Sequence, residues 1–211
     1  MSENKMGTMP VNKLLLTMAL PMVISMLVQA LYNIVDSLYV ARISAEQNEL
    51  TAISLAFAAQ NFMIAVATGT GVGINALLSK ALGEKDQKSA NRVASNGVFL
   101  ALCSYIVFLI LGFTCMRTYM TWMTGNETVI SAGVDYLSIC YIFSFGIVGQ
   151  IVMERLMIST GKTHLAMVTQ GVGAIINILL DPLFIFTFGL GIRGAAIATV
   201  IGQVVAFLLA I

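Results

Sequence analysis

The chain has 211 residues, of which 58% are hydrophobic and 10% are charged. Its mean hydropathy is +0.91 and its formal net charge is +1. The surface of a soluble domain needs about 25–35% charged residues, so this composition excludes a soluble domain. The balanced charge gives no indication of nucleic acid as a partner. Composition therefore predicts an integral membrane protein whose first partner is the lipid bilayer.

Six charge-poor runs follow one another, each long enough to cross a hydrocarbon core about 30 Å thick as a helix. In chain order, we predict transmembrane helices at about residues 14–40, 50–79, 93–116, 130–155, 165–184 and 194–211. Strands of a membrane barrel need only about 9–11 alternating residues, so these runs are helices. The predicted fold class is an all-α membrane protein, a polytopic bundle of about six helices (13–211) after a cytoplasmic N-terminal segment (1–12). The last run is still apolar at Ile211, so we expect further sequence beyond it.

Basic residues are distributed unequally between the alternate connections. Three fall on one side, namely Arg42, Arg117 and Arg193. The other eight fall on the opposite side, namely Lys5, Lys13, Lys80, Lys85, Lys88, Arg92, Arg155 and Lys162. Because basic residues concentrate in cytoplasmic loops, the second side is predicted to be cytoplasmic. We expect a multi-pass protein of the cell membrane whose N-terminus and loop 80–92 lie in the cytoplasm.

Polar side chains inside the first helix indicate function, because an Asp near the bilayer centre costs about 2.5–3.5 kcal/mol. Gln29, Asn33 and Asp36 recur at steps of four and three, which places them on one face of the helix. Tyr32 is adjacent to that face. The alternative for Asp36 is an interfacial position near the outer end of its helix.

The fifth helix carries a similar polar face. Gln170, Asn177 and Asp181 recur at steps of seven and four, and Pro182 follows immediately. Proline removes a backbone donor and frees a carbonyl. Two helices thus each present an Asn and an Asp about one turn apart, an oxygen-rich set suited to a proton or Na⁺. The alternative for Asp181 is a cap on the turn before Pro182.

Two further features of the membrane helices are less specific. Glu154 and Arg155 lie near the cytoplasmic end of the fourth helix, where Arg155 is expected to reach the headgroups. Glu154 either stays at that end or borders a cavity. Gly69 and Gly73 have the small-xxx-small spacing that lets membrane helices pack closely. We predict close packing there and not a nucleotide loop, since no strand precedes the glycines and no Lys-Ser/Thr follows.

Three stretches carry a family resemblance. The first helix reads ALPMVISMLVQALYNIVDSLYVARI, with Pro21, Gln29 and Asp36 in a characteristic arrangement. The second helix ends GTGVGINALLSKALGEKD. The most specific stretch is NILLDPLFIFTFGLGIRGAAIATVIGQ, from Asn177 to Gln203. Together they resemble the multidrug and toxic compound extrusion (MATE) transporters, and the likeness runs over residues 13–211.

The resemblance implies twelve helices in two six-helix lobes related by a pseudo-twofold axis, exchanging H⁺ or Na⁺ for organic cations. This chain resembles the N-terminal lobe, so a missing C-terminal lobe or a second subunit is an expected partner. In the family this lobe holds a cation site. The matching positions here are Asp36, Asn177, Asp181 and Thr199. The coupling ion, H⁺ or Na⁺, is the one cofactor-like species that the resemblance implies.

The predicted function is a cation-coupled antiporter that exports small organic, drug-like cations by alternating access. Its predicted substrate-cavity residues are Gln29, Tyr32, Asn33, Gln170 and Glu154. One alternative is a lipid or oligosaccharide flippase, which would line its cavity with several cations that the apolar runs lack. Another is a non-transporting membrane fragment or assembly subunit. An enzyme is not predicted, because HExxH, GxSxG and paired catalytic aspartates in one motif do not occur in the sequence.

Overall fold

The computed structural model describes residues 9–43 and 48–211, and these ranges consist of helices joined by short turns. The α-helices are α1 (Val11–Val40), α2 (Asn48–Gly83), α3 (Gln87–Thr114), α4 (Met116–Met123), α5 (Glu127–Ile142), α6 (Phe145–Ser159), α7 (Thr163–Pro182) and α8 (Ile192–Ala210). A π-helical turn, Leu183–Thr187, extends α7. The two ranges contain no strand, which confirms the all-α fold class. Most of the predicted N-terminal segment, with Lys5, lies outside the described residues.

Membrane crossing is supported helix by helix. Within the described ranges, five helices are long and apolar enough to span a bilayer: α1, α2, α3, α7 with its π turn, and α8. The pair α5 and α6 supplies a sixth span, bent by 48° between its halves. The chain is therefore a multi-pass membrane protein.

The fourth span differs from the single helix predicted at 130–155. The regular α-helical hydrogen-bond pattern is interrupted where α5 ends. There the Ser144 N–H donates to the Tyr141 carbonyl, three residues earlier, at 3.2 Å. After this interruption, α6 packs closely against α8 at Gly146, where an added Cβ would lie 2.9 Å from Val204 Cγ2. The bend is thus accompanied by a close contact between segments that are distant in the sequence. Because no proline marks it, hydropathy alone did not predict it.

Helix α4 was not predicted as a separate element. It has eight residues, of which Met116 and Met120 are buried. The Met120 side chain packs onto Gly133 of α5, where an added Cβ would collide with the thioether. A helix of eight residues is too short to be found by a search for membrane-spanning runs, and it connects α3 to α5.

The helices that carry the two polar faces pack together. Helix α1 packs mainly against α7, and α7 packs extensively against α8. An added Cβ at Gly173 of α7 would lie 2.8 Å from the carbonyl oxygen of Gly202 on α8, and one at Gly202 would lie 2.7 Å from that of Gly173. Small residues let membrane helices approach to this distance. The polar faces predicted on the first and fifth spans consequently meet.

The prediction of close packing at Gly69 and Gly73 is wrong for the described chain. An added Cβ at either position would have no heavy atom within 4 Å. The intervening Gly71 makes the close contact instead, with Ile151 and Arg155 of α6. Residues two apart point to nearly opposite sides of a helix, so α2 turns the Gly71 side toward α6.

Candidate functional site

Two aspartates are buried in membrane-spanning helices. Asp36 on α1 is 7% exposed and Asp181 on α7 is 0% exposed. Oδ1 of Asp36 and both carboxylate oxygens of Asp181 are buried and have no hydrogen-bond partner within the described chain. The two side chains lie close enough to interact electrostatically. Since a buried carboxylate without a partner is costly, this pair is suited to bind a proton or a cation.

An Asn–Thr pair from the neighbouring helices completes the polar cluster. Nδ2 of Asn177 on α7 donates to Oγ1 of Thr199 on α8 at 3.2 Å. Oδ1 of Asn177 is buried and without a partner among the described residues. The unpartnered buried oxygens of Asp36, Asp181 and Asn177 and the Thr199 hydroxyl, on the packed helices α1, α7 and α8, are an all-oxygen set of candidate ligands. Hard cations such as Na⁺ prefer oxygen ligands, and each carboxylate is also a proton acceptor.

The backbone around Asp181 departs from regular α-helix. Pro182 has no N–H, so the carbonyl of Ile178 one turn earlier loses its usual donor. The chain continues into the π turn, where the Phe188 N–H donates to the Leu183 carbonyl at 2.9 Å. The alternative that Asp181 caps a helix end is not supported, because neither carboxylate oxygen accepts a hydrogen bond in the described chain.

A cavity of about 150 Å³ lies between α1, α2, α6, α7 and α8. One end reaches Asn177 and Thr199, and the other reaches Glu154 at the far end of α6. Between them Gln170 Nε2 donates to Gln29 Oε1 at 3.0 Å, which joins α7 to α1. The cavity therefore runs along the inside of the bundle and has polar groups at both ends and in the middle.

The predicted cavity residues fall in two groups. Gln29, Tyr32, Gln170 and Glu154 line the cavity, whereas Asn33 is exposed and is not part of its lining. Asn33 shares a helical face with Gln29, but α1 buries a stripe centred between Tyr32 and Gln29. Asn33 lies beyond the edge of that stripe, so it does not line this cavity, and its role in a substrate cavity stays a prediction.

Sequence reasoning missed a polar contact between α2 and α5. Gln60 Nε2 donates to the Tyr136 hydroxyl at 3.2 Å and lies 3.5 Å from the Cys140 sulfur. Tyr136 is buried and within electrostatic range of Asp36. A glutamine in an otherwise apolar run was the available signal, and this contact places a phenol near the aspartate pair.

The cluster at the end of α6 also differs from prediction. Gln150, overlooked in the sequence, is buried and donates through Nε2 to Glu154 Oε1 at 2.8 Å. Arg155 was expected to reach the headgroups. It is half-buried and contributes to the cavity lining, with Nε buried and without a partner in the described part of the chain. The close approach of α2 at Gly71 holds its stem in that direction.

Comparison with known proteins gives consistent matches over most of the chain. The model of the MatE family matches residues 21–183. The chain is 28% identical over 201 residues to a protein of Shewanella oneidensis named FAD transporter, covering 93% of this chain and 44% of that protein. It is 26% identical over 201 residues to the multidrug export protein MepA of Staphylococcus aureus, covering 94% of this chain and 44% of that protein.

Solved structures match over the same extent. A structure described as the outward-facing conformation of a multidrug resistance MATE family transporter of the MOP superfamily superposes with a TM-score of 0.89 at 30% identity, covering 94% of this chain and 44% of that one. A MOP superfamily transporter from Pyrococcus furiosus, whose description proposes a different function from the reversed polarity of its binding pocket, gives 0.89 at 30% identity, with 94% and 43% covered. The chain thus spans less than half the length of these relatives.

Proposed function

The chain belongs to the MatE family, and we propose that it forms the N-terminal half of a transporter that exports small organic cations in exchange for H⁺ or Na⁺. The observation that carries this proposal is the buried pair Asp36 and Asp181, whose oxygens lack hydrogen-bond partners in the described chain. The names of relatives such as the multidrug export protein MepA support export as the activity.

The aspartate pair supplies the coupling chemistry. Two ionised carboxylates close together in a membrane interior repel each other and are poorly solvated, so a bound proton or Na⁺ stabilises them. Asn177 and Thr199 add neutral oxygens beside the pair. A bound cation then shifts the conformational equilibrium by its difference in affinity between the inward-facing and outward-facing states. Exchange follows when cargo and cation favour opposite states.

The cavity supplies a place for the cargo. Met22, Met26 and Met167 line it, and flexible thioether side chains adapt to ligands of different shape. Glu154 gives one end an acidic group that complements an organic cation. A flippase for anionic lipids or oligosaccharides would require several cations here, and Arg155 alone supplies one within the described lining.

Orientation and assembly are part of the same proposal. The protein is proposed to lie in the cell membrane, and the excess of basic residues on one side supports a cytoplasmic N-terminus and a cytoplasmic loop 80–92. Asp36 and Asp181 then lie toward the outer surface and Glu154 toward the inner one. A second lobe, or a second subunit, supplies the opposite wall of the transport pathway.

The test is gradient-driven export by the complete protein in proteoliposomes. A fluorescent cationic dye is loaded, and H⁺ or Na⁺ gradients are imposed separately to identify the coupling ion. Asp36→Asn, which keeps the size and removes the charge, is expected to abolish export. Asp86→Asn makes the same chemical change on the surface turn before α3 and is the matched control. Wild-type export by the Asp36→Asn protein would refute the proposed coupling site.

A further inference from the structure

Helix α4 lies at one end of the bundle, beside the first turns of α2. The Tyr119 hydroxyl of α4 donates to the Leu55 carbonyl of α2 at 2.9 Å. Helix α2 has 36 residues, so it is about 54 Å long and, when centred, extends about 12 Å beyond each side of a 30 Å hydrocarbon core. Leu55 lies about 10 Å along the axis from Asn48, where α2 begins. Helix α4 is therefore at the level where hydrocarbon gives way to headgroups.

The face of α4 that packs on the bundle is apolar and fixed. Met116 and Met120 are buried, and the Met120 thioether packs onto Gly133 of α5. The bond from Tyr119 to α2 holds the same face. These contacts set the rotation of α4 about its axis, and with it the residues that point outward.

The outward face of α4 mixes polar and aromatic side chains. Arg117, Thr118, Thr121 and Trp122 are exposed, and Trp122 is 83% exposed. Arginine is costly in hydrocarbon, whereas an indole is too apolar to favour bulk water. Arg117 lies 3.8 Å from Glu127, and a pair as exposed as this one holds the guanidinium only weakly. Such a face is typical of the headgroup region, where tryptophan is enriched.

The face of α4 continues a surface that contacts lipid. Helix α3 is long and apolar enough to span the bilayer. Phe99, Ile106 and Phe113 recur along it at steps of seven and are exposed, which gives one apolar stripe. Phe113 lies in the last turn of α3, directly before α4. The stripe therefore leads from the middle of the span to the outward face of α4.

We propose that the outward face of α4 binds the headgroup and glycerol region of the bilayer, with Trp122 as its anchor. The indole N–H donates to an ester or phosphate oxygen while the ring covers the upper part of an acyl chain, and Arg117 reaches a phosphate. Ester and phosphate oxygens are common to phospholipids, so the partner is this layer of the membrane and not one lipid species. The inference rests on membrane crossing and is independent of the proposed export.

The test measures the depth of Trp122 by fluorescence quenching. The complete protein is reconstituted in phosphatidylcholine nanodiscs that contain a lipid with a nitroxide either near the glycerol end or near the methyl end of its acyl chain. Subtracting the emission of Trp122→Phe isolates the signal of Trp122 from that of any other tryptophan in the complete protein. The nitroxide near the glycerol should quench this signal at least about twofold more than the one near the methyl end. Iodide in the buffer should quench it weakly.

A tryptophan in the middle of α3 provides the matched control. Phe99→Trp, made in the Trp122→Phe protein, places the same fluorophore on the same lipid-facing stripe near the middle of the span. Its signal should show the reverse order of quenching, since it faces the ends of the acyl chains. Melting temperatures check that each variant is folded. If Phe99→Trp does not fold, the three quenchers applied to Trp122 decide.

Each other pattern of quenching would overturn the proposal. Strong quenching by iodide with none by either lipid would place Trp122 in water. Stronger quenching by the nitroxide near the methyl end would place it in the hydrocarbon core. Protection from all three quenchers would show that protein covers this face, as a second lobe or subunit would.

Discussion

Gly173→Ala is expected to separate α7 from α8 and to open the hydrogen bond between Asn177 and Thr199. Gly173 and Gly202 face each other across this interface. Asn177 is the next residue of α7 along the contact, since an added Cβ at Gly202 would lie 3.1 Å from Asn177 Cβ. A change that moves the two backbones apart therefore reaches the candidate cation site without altering any of its residues.

The expected loss of stability in Gly173→Ala can be worked out from the distances at the interface. The new methyl group would lie 2.8 Å from the Gly202 carbonyl oxygen and 2.9 Å from Ala206 Cβ. To reach an ordinary contact of 3.4 Å, the backbones must separate by about 0.6 Å. The bond between Asn177 and Thr199 is 3.2 Å long, so half that movement would bring it to the 3.5 Å limit. Overpacking and the lost bond together cost about 2–4 kcal/mol.

The assay pairs thermal unfolding with export. The complete protein is purified in detergent, and melting temperature is measured beside dye export in proteoliposomes. Gly171→Ala is the control, because an added Cβ there has no heavy atom within 4 Å. That change should be neutral, or stabilise α7 by up to about 1 kcal/mol through helix propensity. If the Gly173→Ala protein has the same melting temperature as the Gly171→Ala protein and exports normally, the close α7–α8 contact does not support the site.

Three further predictions concern the coupling site, the topology and a helix cap. Combining Asp36→Asn with Asp181→Asn should reduce export no further than either single change. When two groups bind one ion, the loss of either group already removes most of the function, so additive losses would indicate separate sites. After replacement of the native Cys103, Cys115 and Cys140 by serine, a cysteine replacing Lys88 should react in intact cells with a permeant maleimide only, and labelling by an impermeant reagent would reverse the proposed topology. The Ser89 hydroxyl and backbone N–H donate to the Asp86 carboxylate at 2.6 and 3.0 Å, which holds the pKa of Asp86 below its usual 3.8. The Asp86 cap therefore stabilises α3 above pH 3.8, and this stabilisation is lost as the pH falls through the lowered pKa of Asp86. Hydrogen exchange in the first turn of α3, corrected for the intrinsic rate, should become faster in that acidic range. A constant rate would contradict the assignment of the cap.

The polar faces of α1 and α7 could be predicted from sequence because long spans make helical periodicity reliable. Spacing selected Gln29, Asp36, Gln170, Asn177 and Asp181, and the structure brings the two helices together along those faces. Helical periodicity gives the direction of a face and not its width. Asn33 points close to that direction but lies outside the buried stripe.

Features that depend on distant contacts could not be predicted in this way. After the bend of the fourth span, Gly146 packs closely against Val204 of α8, and the Arg155 side chain lies against Gly71 of α2. Local sequence contains neither partner. Thr199 is a related case, because a threonine in a membrane helix commonly bonds its own backbone, so spacing alone gives it no role. Its contact with Asn177 exists only because α7 and α8 meet at glycines.

The separation of charges along one cavity has a consequence for the proposed exchange. Asn177, one turn from Asp181, lines one end and Glu154 with Arg155 lines the other, so under the proposed function the coupling ion and the cargo need not compete for the same ligands. Helix α1 carries Asp36, reaches α7 through the bond from Gln170 to Gln29, and has few contacts with the other described helices. Helix α1 therefore lies along the cavity and makes few other contacts, so that binding of either ligand can shift its position. We therefore propose that coupling between ion and cargo depends on the position of α1 against α7.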